Sequence, residues 1–179
     1  MSLNDPSDEE LMQRVQAGDD ASFRVLFERH QRAVYGFLLR RTQQPQTAAD
    51  LFQDTWLKVH RGRGSYRPDQ RFRPWLFGIA ANAGRDQLRK DSRSVDVREV
   101  ESMDQLESLT PPARPESRLT LEAAIAALPG PLREAFLLGA VYGFDHQELS
   151  QQLDISPDNA RARVSRARGL LREWLGGEA

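Results

Sequence analysis

The 179-residue chain contains no cysteine, which removes disulfides, thiol redox chemistry and Cys-ligated zinc. That absence fits a reducing cytoplasm. Its three histidines, His30, His60 and His146, stand singly and form no i, i+4 pair, so no metal site is expected. No run of eighteen apolar residues exists to span a membrane. The opening MSLNDPSDEE is acidic and polar, unlike a secretory leader. There is no Gly-rich phosphate loop, no G-x-S-x-G and no H-E-x-x-H. Nothing therefore argues for an enzyme, and no cofactor is expected. Strand-like alternation and internal repeats are also missing, which leaves helices.

What is present is amphipathic and locally basic. Total charge is nearly balanced, with 25 Lys+Arg against 26 Asp+Glu. The distribution is uneven. Between Lys58 and Lys90 stand nine basic residues against two acids, Asp69 and Asp86. A second basic stretch runs from Arg161 to Arg172. Two separate basic faces in a neutral chain point to two nucleic-acid contacts.

The second face has the clearer pattern. Asp145 with Glu148 forms a D-x-x-E capping box, so a helix should start at His146, with Leu149 and Leu153 buried. Asp154-Ile155-Ser156 makes a turn. Ser156 caps the next helix and Pro157 takes its first position. Ala160, Val164, Ala167, Leu171 and Trp174 then form an apolar stripe, with Arg161, Arg163, Arg166, Arg168 and Arg172 off it. At about 100° per residue, Arg161, Ala162, Ser165 and Arg166 lie opposite the stripe. That is the arrangement of a helix-turn-helix whose second helix enters the major groove. The competing reading is an ordinary solvated helix face.

Upstream, residues 8–17 predict a short helix ended by Gly18, and Asp20 or Ser22 begins a longer one. Phe23, Leu26, Phe27, His30, Val34, Phe37, Leu38 and Arg41 mark its inner face, where His30 reads as a satisfied structural group. Gln44-Pro45 breaks it. Thr47 is expected to cap a helix over Ala48–Arg61, with Leu51, Phe52, Trp56 and Val59 inside and Asp50, Gln53, Asp54 and Lys58 outside. That outer face is either solvated or a dock for a basic partner. Residues 61–73 alternate Arg with aromatics and contain two Gly and one Pro, so they form a loop. Such a loop neutralises phosphate and stacks on unpaired bases, unless Tyr66 and Phe72 merely pin it to the core. Pro74 opens a helix to about Lys90, with Trp75, Leu76, Ile79, Ala80 and Ala83 inside and Asn82, Arg85, Asp86, Arg89 and Lys90 outside. The segment from Ser92 to about Arg118 is poor in large apolar residues and holds Pro111, Pro112 and Pro115, as a flexible linker does. Ser117 should cap the next helix, with Leu121, Ile125 and Leu128 inside, and Pro131 should start another.

AADLFQDTWLKVHR at Ala48–Arg61, FRPWLFGIAANAGRDQLRK at Phe72–Lys90, LEAAIAALPGPLREAFLL at Leu121–Leu138 and the helix-turn-helix occur in one order around a Pro-rich linker. In this the chain resembles the extracytoplasmic-function (ECF) group of RNA polymerase sigma factors of the sigma-70 family. The resemblance implies an all-α chain of two small helical domains joined by a flexible Pro-containing linker. Residues 1–91 would bind core polymerase and the minus-ten element, 92–117 would be the linker, and 118–179 would be a four-helix unit binding the minus-thirty-five element. Asp50, Gln53, Asp54 and Lys58 would meet the clamp helices of the largest polymerase subunit, and the C-terminal domain the flap of the second-largest. Tyr66, Arg71, Phe72, Trp75, Asn82, Arg85 and Arg89 would hold melted minus-ten DNA. Arg161, Ser165 and Arg166 would read the minus-thirty-five duplex, with Arg163 and Arg168 on phosphates. An anti-sigma factor is the expected regulator. The chain departs from relatives at Asp158-Asn159-Ala160, where a Gly-Thr-Val lead is common, and carries Gly78 and Gly84 inside the Trp75–Lys90 helix. A helix-turn-helix regulator that works without polymerase is the alternative. A purely protein-binding adaptor would leave both basic faces unexplained.

Overall fold

The computed structural model describes the backbone of residues 5–91 and 120–176, and side chains of 5–84 and 120–176. The linker expected from Ser92 to Arg118, with its Ser117 cap, lies outside the described residues. The chain divides into two units, 1–91 and 92–179. Among the described residues all regular structure is helical.

The first unit begins with α1 (Asp8–Gln16), α2 (Asp20–Thr42) and α3 (Pro45–Arg61). Ser7 and Glu10 close a capping box on α1: the Ser7 hydroxyl accepts from the Glu10 amide at 3.1 Å, and the Glu10 carboxylate from the Ser7 amide at 2.8 Å. Asp19 caps α2 by accepting from the Ala21 and Ser22 amides. Gln43, left-handed at φ 57, ends α2 and returns its N–H to the Leu39 carbonyl at 2.8 Å. Helix α3 therefore starts at Pro45, ahead of the Ala48 start expected from Thr47, because Pro45 is preorganised for a first helical position and Gln44 is the N-cap. A short 3-10 turn (Arg63–Ser65) leads to α4 (Phe72–Asp91). The α4 helix begins before Pro74, which sits in its first turn, where a missing N–H is harmless.

Leu26, Val34, Phe37, Leu38, Val59, Phe72, Leu76 and Phe77 are all fully buried and form the centre of this unit. Phe77 packs edge-on to Phe37, with ring centroids 5.6 Å apart. His30 is buried and its Nε2 lies 2.6 Å from Asp8 Oδ2, so it ties α2 to α1 as a satisfied group. Arg29 adds ion pairs to Asp5 and Asp8. Burial alone would raise the Asp8 carboxyl; hydrogen bonds from His30 and Arg29 outweigh it and hold the group below its ordinary value.

The second unit contains α5 (Leu121–Ala127), α6 (Gly130–Phe136), a π-helical continuation (Leu137–Val141), α7 (His146–Leu153) and α8 (Pro157–Trp174). Thr120 caps α5. Arg133 from α6 donates to the carbonyls of Ile125, Ala126 and Leu128, satisfying the C-terminal end of α5. Leu121, expected inside, is 53% exposed: it is the first residue of α5, and only Ala124, Ile125 and Leu128 face the core. Gly139 marks a close approach. A Cβ there would lie 2.8 Å from Leu149 Cδ1 and 3.2 Å from Val164 Cγ2, so the π-helical segment packs directly on α7 and α8.

Candidate nucleic-acid interface

The helix-turn-helix forms as its capping residues dictate. The Asp145 carboxylate accepts from the Gln147 and Glu148 amides at 2.9 and 2.8 Å, and the Glu148 carboxylate returns to the Asp145 amide at 2.8 Å. Asp154 turns the chain in the left-handed conformation, φ 53, which a short polar side chain tolerates. The Ser150 hydroxyl donates to the Ile155 carbonyl at 2.6 Å and fastens the turn to α7. Ser156 caps α8 by accepting from the Asn159 amide at 3.2 Å.

On α8, Ala160, Val164, Ala167, Leu171 and Trp174 are buried, and Arg161, Ser165, Arg166 and Arg168 are exposed. The solvent side thus carries three guanidiniums and a hydroxyl along roughly two turns. Arg161 makes one side-chain contact there, 3.3 Å to the exposed Asp158. A pair so open to water is weak and yields readily to phosphate or a base edge.

Arg163 corrects the sequence expectation. It is 6% exposed, and its Nε donates to Asn159 Oδ1 at 3.2 Å. Asn159, Ala167 and Leu170, at i−4, i+4 and i+7, are buried with it, so the inward arc of α8 is broader than the five-residue stripe. Arg163 anchors the helix and does not face a phosphate.

An open groove of about 780 Å³ borders this surface. Leu121, Phe136, Leu171 and Leu175 supply its apolar lining, with Arg161, Arg168 and Arg172 among the same walls. Leu121 and Leu175 are exposed there, a feature that periodicity alone did not mark.

The N-terminal basic region is built differently. Tyr66 is 2% exposed and Phe72 fully buried. The Tyr66 ring packs on Phe72 and Trp75, with centroids 6.1 and 5.1 Å away, and its hydroxyl donates to the Gln70 carbonyl. Burial raises its phenol to about 12, helped by the nearby negative charge of Glu9, Asp8 and Asp69. The expectation that Tyr66 and Phe72 offer faces to unpaired bases is therefore overturned: both rings are spent in the core, and they pin the loop. Trp75 is half-buried, while Arg71 and Asn82 are exposed. Arg67 pairs with Asp69 at 2.8 Å at the loop tip. The side chains of Arg85 and Arg89 lie outside the described residues.

Gly84 has a packing reason. Arg41, near the end of α2, donates to the Ala81 carbonyl of α4 at 2.6 Å, and a Cβ on residue 84 would sit 2.2 Å from its Nη1. The glycine makes room for that guanidinium.

On α3, Asp50 and Gln53 are exposed, and Asp54 pairs with Lys58 at 3.0 Å. Leu57 sits on the same outer face and is 53% exposed. An apolar residue at i+7, i+4 and i+3 from Asp50, Gln53 and Asp54 breaks the amphipathic pattern. The sequence itself carries that signal. Among the described residues there is no cluster suited to a metal ion and no helix long and apolar enough to cross a membrane.

Comparison with known proteins agrees with this geometry. Residues 26–94 match the family Sigma-70 region 2, and residues 118–171 match Sigma-70, region 4. The RNA polymerase sigma factor CarQ of Myxococcus xanthus is 40% identical over 172 residues, covering 92% of this chain and 95% of its own. The ECF RNA polymerase sigma-E factor of Escherichia coli K12 is 30% identical over 177 residues, 92% of each chain. The solved structure of the sigma factor RpoE in complex with the anti-sigma factor NepR, from Bartonella quintana, matches with a TM-score of 0.66. It is 26% identical and covers 88% of this chain and 98% of that one.

Proposed function

Because the chain belongs to the sigma-70 family of RNA polymerase sigma factors, in its ECF group, we propose that its two units divide promoter recognition as the two basic surfaces divide the chain. Residues 1–91 dock on core polymerase and hold the melted minus-ten strand. Residues 92–117 are the linker, and residues 118–179 read the minus-thirty-five duplex. The observation that carries the reading is α8, which buries a continuous apolar side and exposes Arg161, Ser165, Arg166 and Arg168 from a properly capped helix-turn-helix. Arg161 and Arg166 are assigned to base edges together with Ser165, and Arg168 to phosphate.

In the N-terminal unit, Arg71, Trp75, Asn82, Arg85 and Arg89 are the proposed strand contacts, and Trp75 is backed by the Tyr66 and Phe72 rings. The clamp helices of the largest polymerase subunit meet Asp50, Gln53, Asp54 and Lys58, with Leu57 as the apolar centre of that face. An exposed apolar residue ringed by polar ones matches the apolar core and polar rim of a protein interface. The groove of the C-terminal unit suits the flap of the second-largest subunit. The similarity to a sigma factor solved with its anti-sigma factor supports regulation by such a partner. The protein performs no bond chemistry of its own and works in the bacterial cytoplasm.

Run-off transcription with core polymerase tests this reading. The holoenzyme should give a promoter-dependent transcript that core alone does not. A protein that binds duplex tightly by itself and never redirects polymerase would refute it. Asp54→Arg places a cation on the docking face and should weaken core binding by about 1–3 kcal/mol; an unchanged holoenzyme dissociation constant would remove α3 from the interface.

A further inference from the structure

Helix α1 carries none of the residues assigned above to DNA or polymerase, yet two of its side chains fix the connection between α3 and α4. Gln16 Nε2 donates to two backbone carbonyls, Arg63 O at 2.8 Å and Tyr66 O at 2.9 Å. Glu9 Oε1 accepts the N–H of Phe72, the first residue of α4, at 2.9 Å. One anchor holds the entry of the connection and the other its exit. Their partners lie 47, 50 and 63 residues away in sequence, so no local turn chemistry imposes them. Between the anchors the loop is closed by its own bonds: the Ser65 hydroxyl to the Gly62 carbonyl at 2.7 Å, the Gln70 amide to the Arg67 carbonyl at 3.0 Å, and Tyr66 to Gln70.

A segment containing Gly62, Gly64 and Pro68 would sample many conformations if left alone. A loop that must be ordered by its ligand loses that ordering entropy from binding, whereas a loop already fixed does not. We infer that Gln16 and Glu9 are positioning residues for strand capture: α1 holds the 62–72 connection in the shape that presents Arg71 and Trp75 to melted minus-ten DNA. This rests on the holding of the melted minus-ten strand proposed above.

Gln16→Glu is the test, because it keeps size and helix propensity while replacing the NH2 that donates to two carbonyls by a single carboxylate oxygen that faces them. Holoenzyme assembled with this variant should bind a single-stranded minus-ten oligonucleotide at least about tenfold more weakly than wild type, since two part-buried acceptors lose their donor. Permanganate reactivity of melted promoter thymines should fall in parallel. Affinity for core polymerase and for minus-thirty-five duplex should stay within about twofold. Lowering pH from about 8 to about 6 should narrow the defect, because a carboxyl facing carbonyls has a raised pKa and, once protonated, donates to one of them. A purely structural lesion would not recover this way. Glu9 supplies the second variant: Glu9→Gln keeps an acceptor for the Phe72 amide and should behave as wild type, while Glu9→Ala should reproduce the strand-binding loss. Wild-type strand binding and opening in both Gln16→Glu and Glu9→Ala would overturn the inference, as would equal losses at core and duplex. Failure of the wild-type holoenzyme to open any promoter would instead overturn the proposed function itself.

Discussion

The two basic surfaces of this chain are made by opposite means. On α8 the functional side chains stand outside a regular helix, and their direction follows from their place around it relative to the buried arc of Ala160, Val164, Ala167, Leu171 and Trp174. In the 62–72 connection the direction of each side chain follows from what the backbone bonds to. Those partners come from α1, about fifty residues earlier. Spacing therefore predicts orientation on the helix, Arg163 excepted, whereas composition fails to predict it on the loop. An Arg-aromatic loop looks like a stacking surface, yet its aromatics are the part that is folded away.

The largest expected effect tests that contrast directly. If Phe72 were a stacking group, Phe72→Ala would cost DNA binding and leave the fold intact. Because it is fully buried against Tyr66 and Trp75, the substitution should destabilise the N-terminal unit by about 3–5 kcal/mol. Thermal unfolding of the full chain measures this. A variant as stable as wild type, with strand binding lost, would restore the stacking role and erase the distinction between the two surfaces.

A smaller effect sharpens the comparison within α8. Arg161→Ala should leave stability within about 0.5 kcal/mol of wild type, because the side chain is exposed and its one contact is open to solvent. It should weaken minus-thirty-five duplex recognition by about 1–3 kcal/mol. Arg163→Ala should do the reverse, destabilising the C-terminal unit by about 1–3 kcal/mol by leaving Asn159 without its buried partner. Arg163→Met keeps the packing but supplies no donor to Asn159, so it should recover only the packing share of that loss, without any change in the salt dependence of binding. Equal effects of Arg161→Ala and Arg163→Ala on duplex affinity at unchanged stability would show that Arg163 reaches DNA after all.

These variants also separate what periodicity reveals from what it hides. The helix-turn-helix was legible almost residue by residue: the Asp145–Glu148 box, the Asp154 turn, the Ser156 cap and the five-residue stripe all stand where spacing puts them. Arg163 escaped because a charged residue at the edge of an apolar arc looks exposed until Asn159 is seen to accept from it. The N-terminal helices were legible as elements, with two starts displaced by proline: α3 begins at Pro45, and α4 has Pro74 within its first turn. The loop was not legible, since bonds from Gln16 and Glu9 to distant backbone groups leave no periodic trace. Gly84 was visible as an anomaly without a cause, because its cause, Arg41, is on another helix. Leu57 was visible too, as an apolar residue on a polar face.

The smallest expected effect concerns acid. The α1–α2 junction depends on a carboxylate, Asp8, whose folded pKa lies below its ordinary value of 3.8: burial pushes it up, and His30 and Arg29 pull it further down. A depressed carboxyl stabilises the fold fully above its unfolded pKa and loses that contribution as pH falls through the folded value. The junction should therefore hold above about pH 4 and loosen below it. The corresponding lock of the C-terminal unit is Arg133 on three backbone carbonyls, which do not titrate. Amide hydrogen exchange during acidification should show α1 losing protection before α5 and α6, and Asp8→Asn should abolish the pH dependence of that step while lowering protection at neutral pH. If α1 and α5 lose protection together in the wild-type chain, the ion-paired junction is not what distinguishes the two units. The loop that α1 holds would then be expected to keep its shape in acid as long as the helix-turn-helix does.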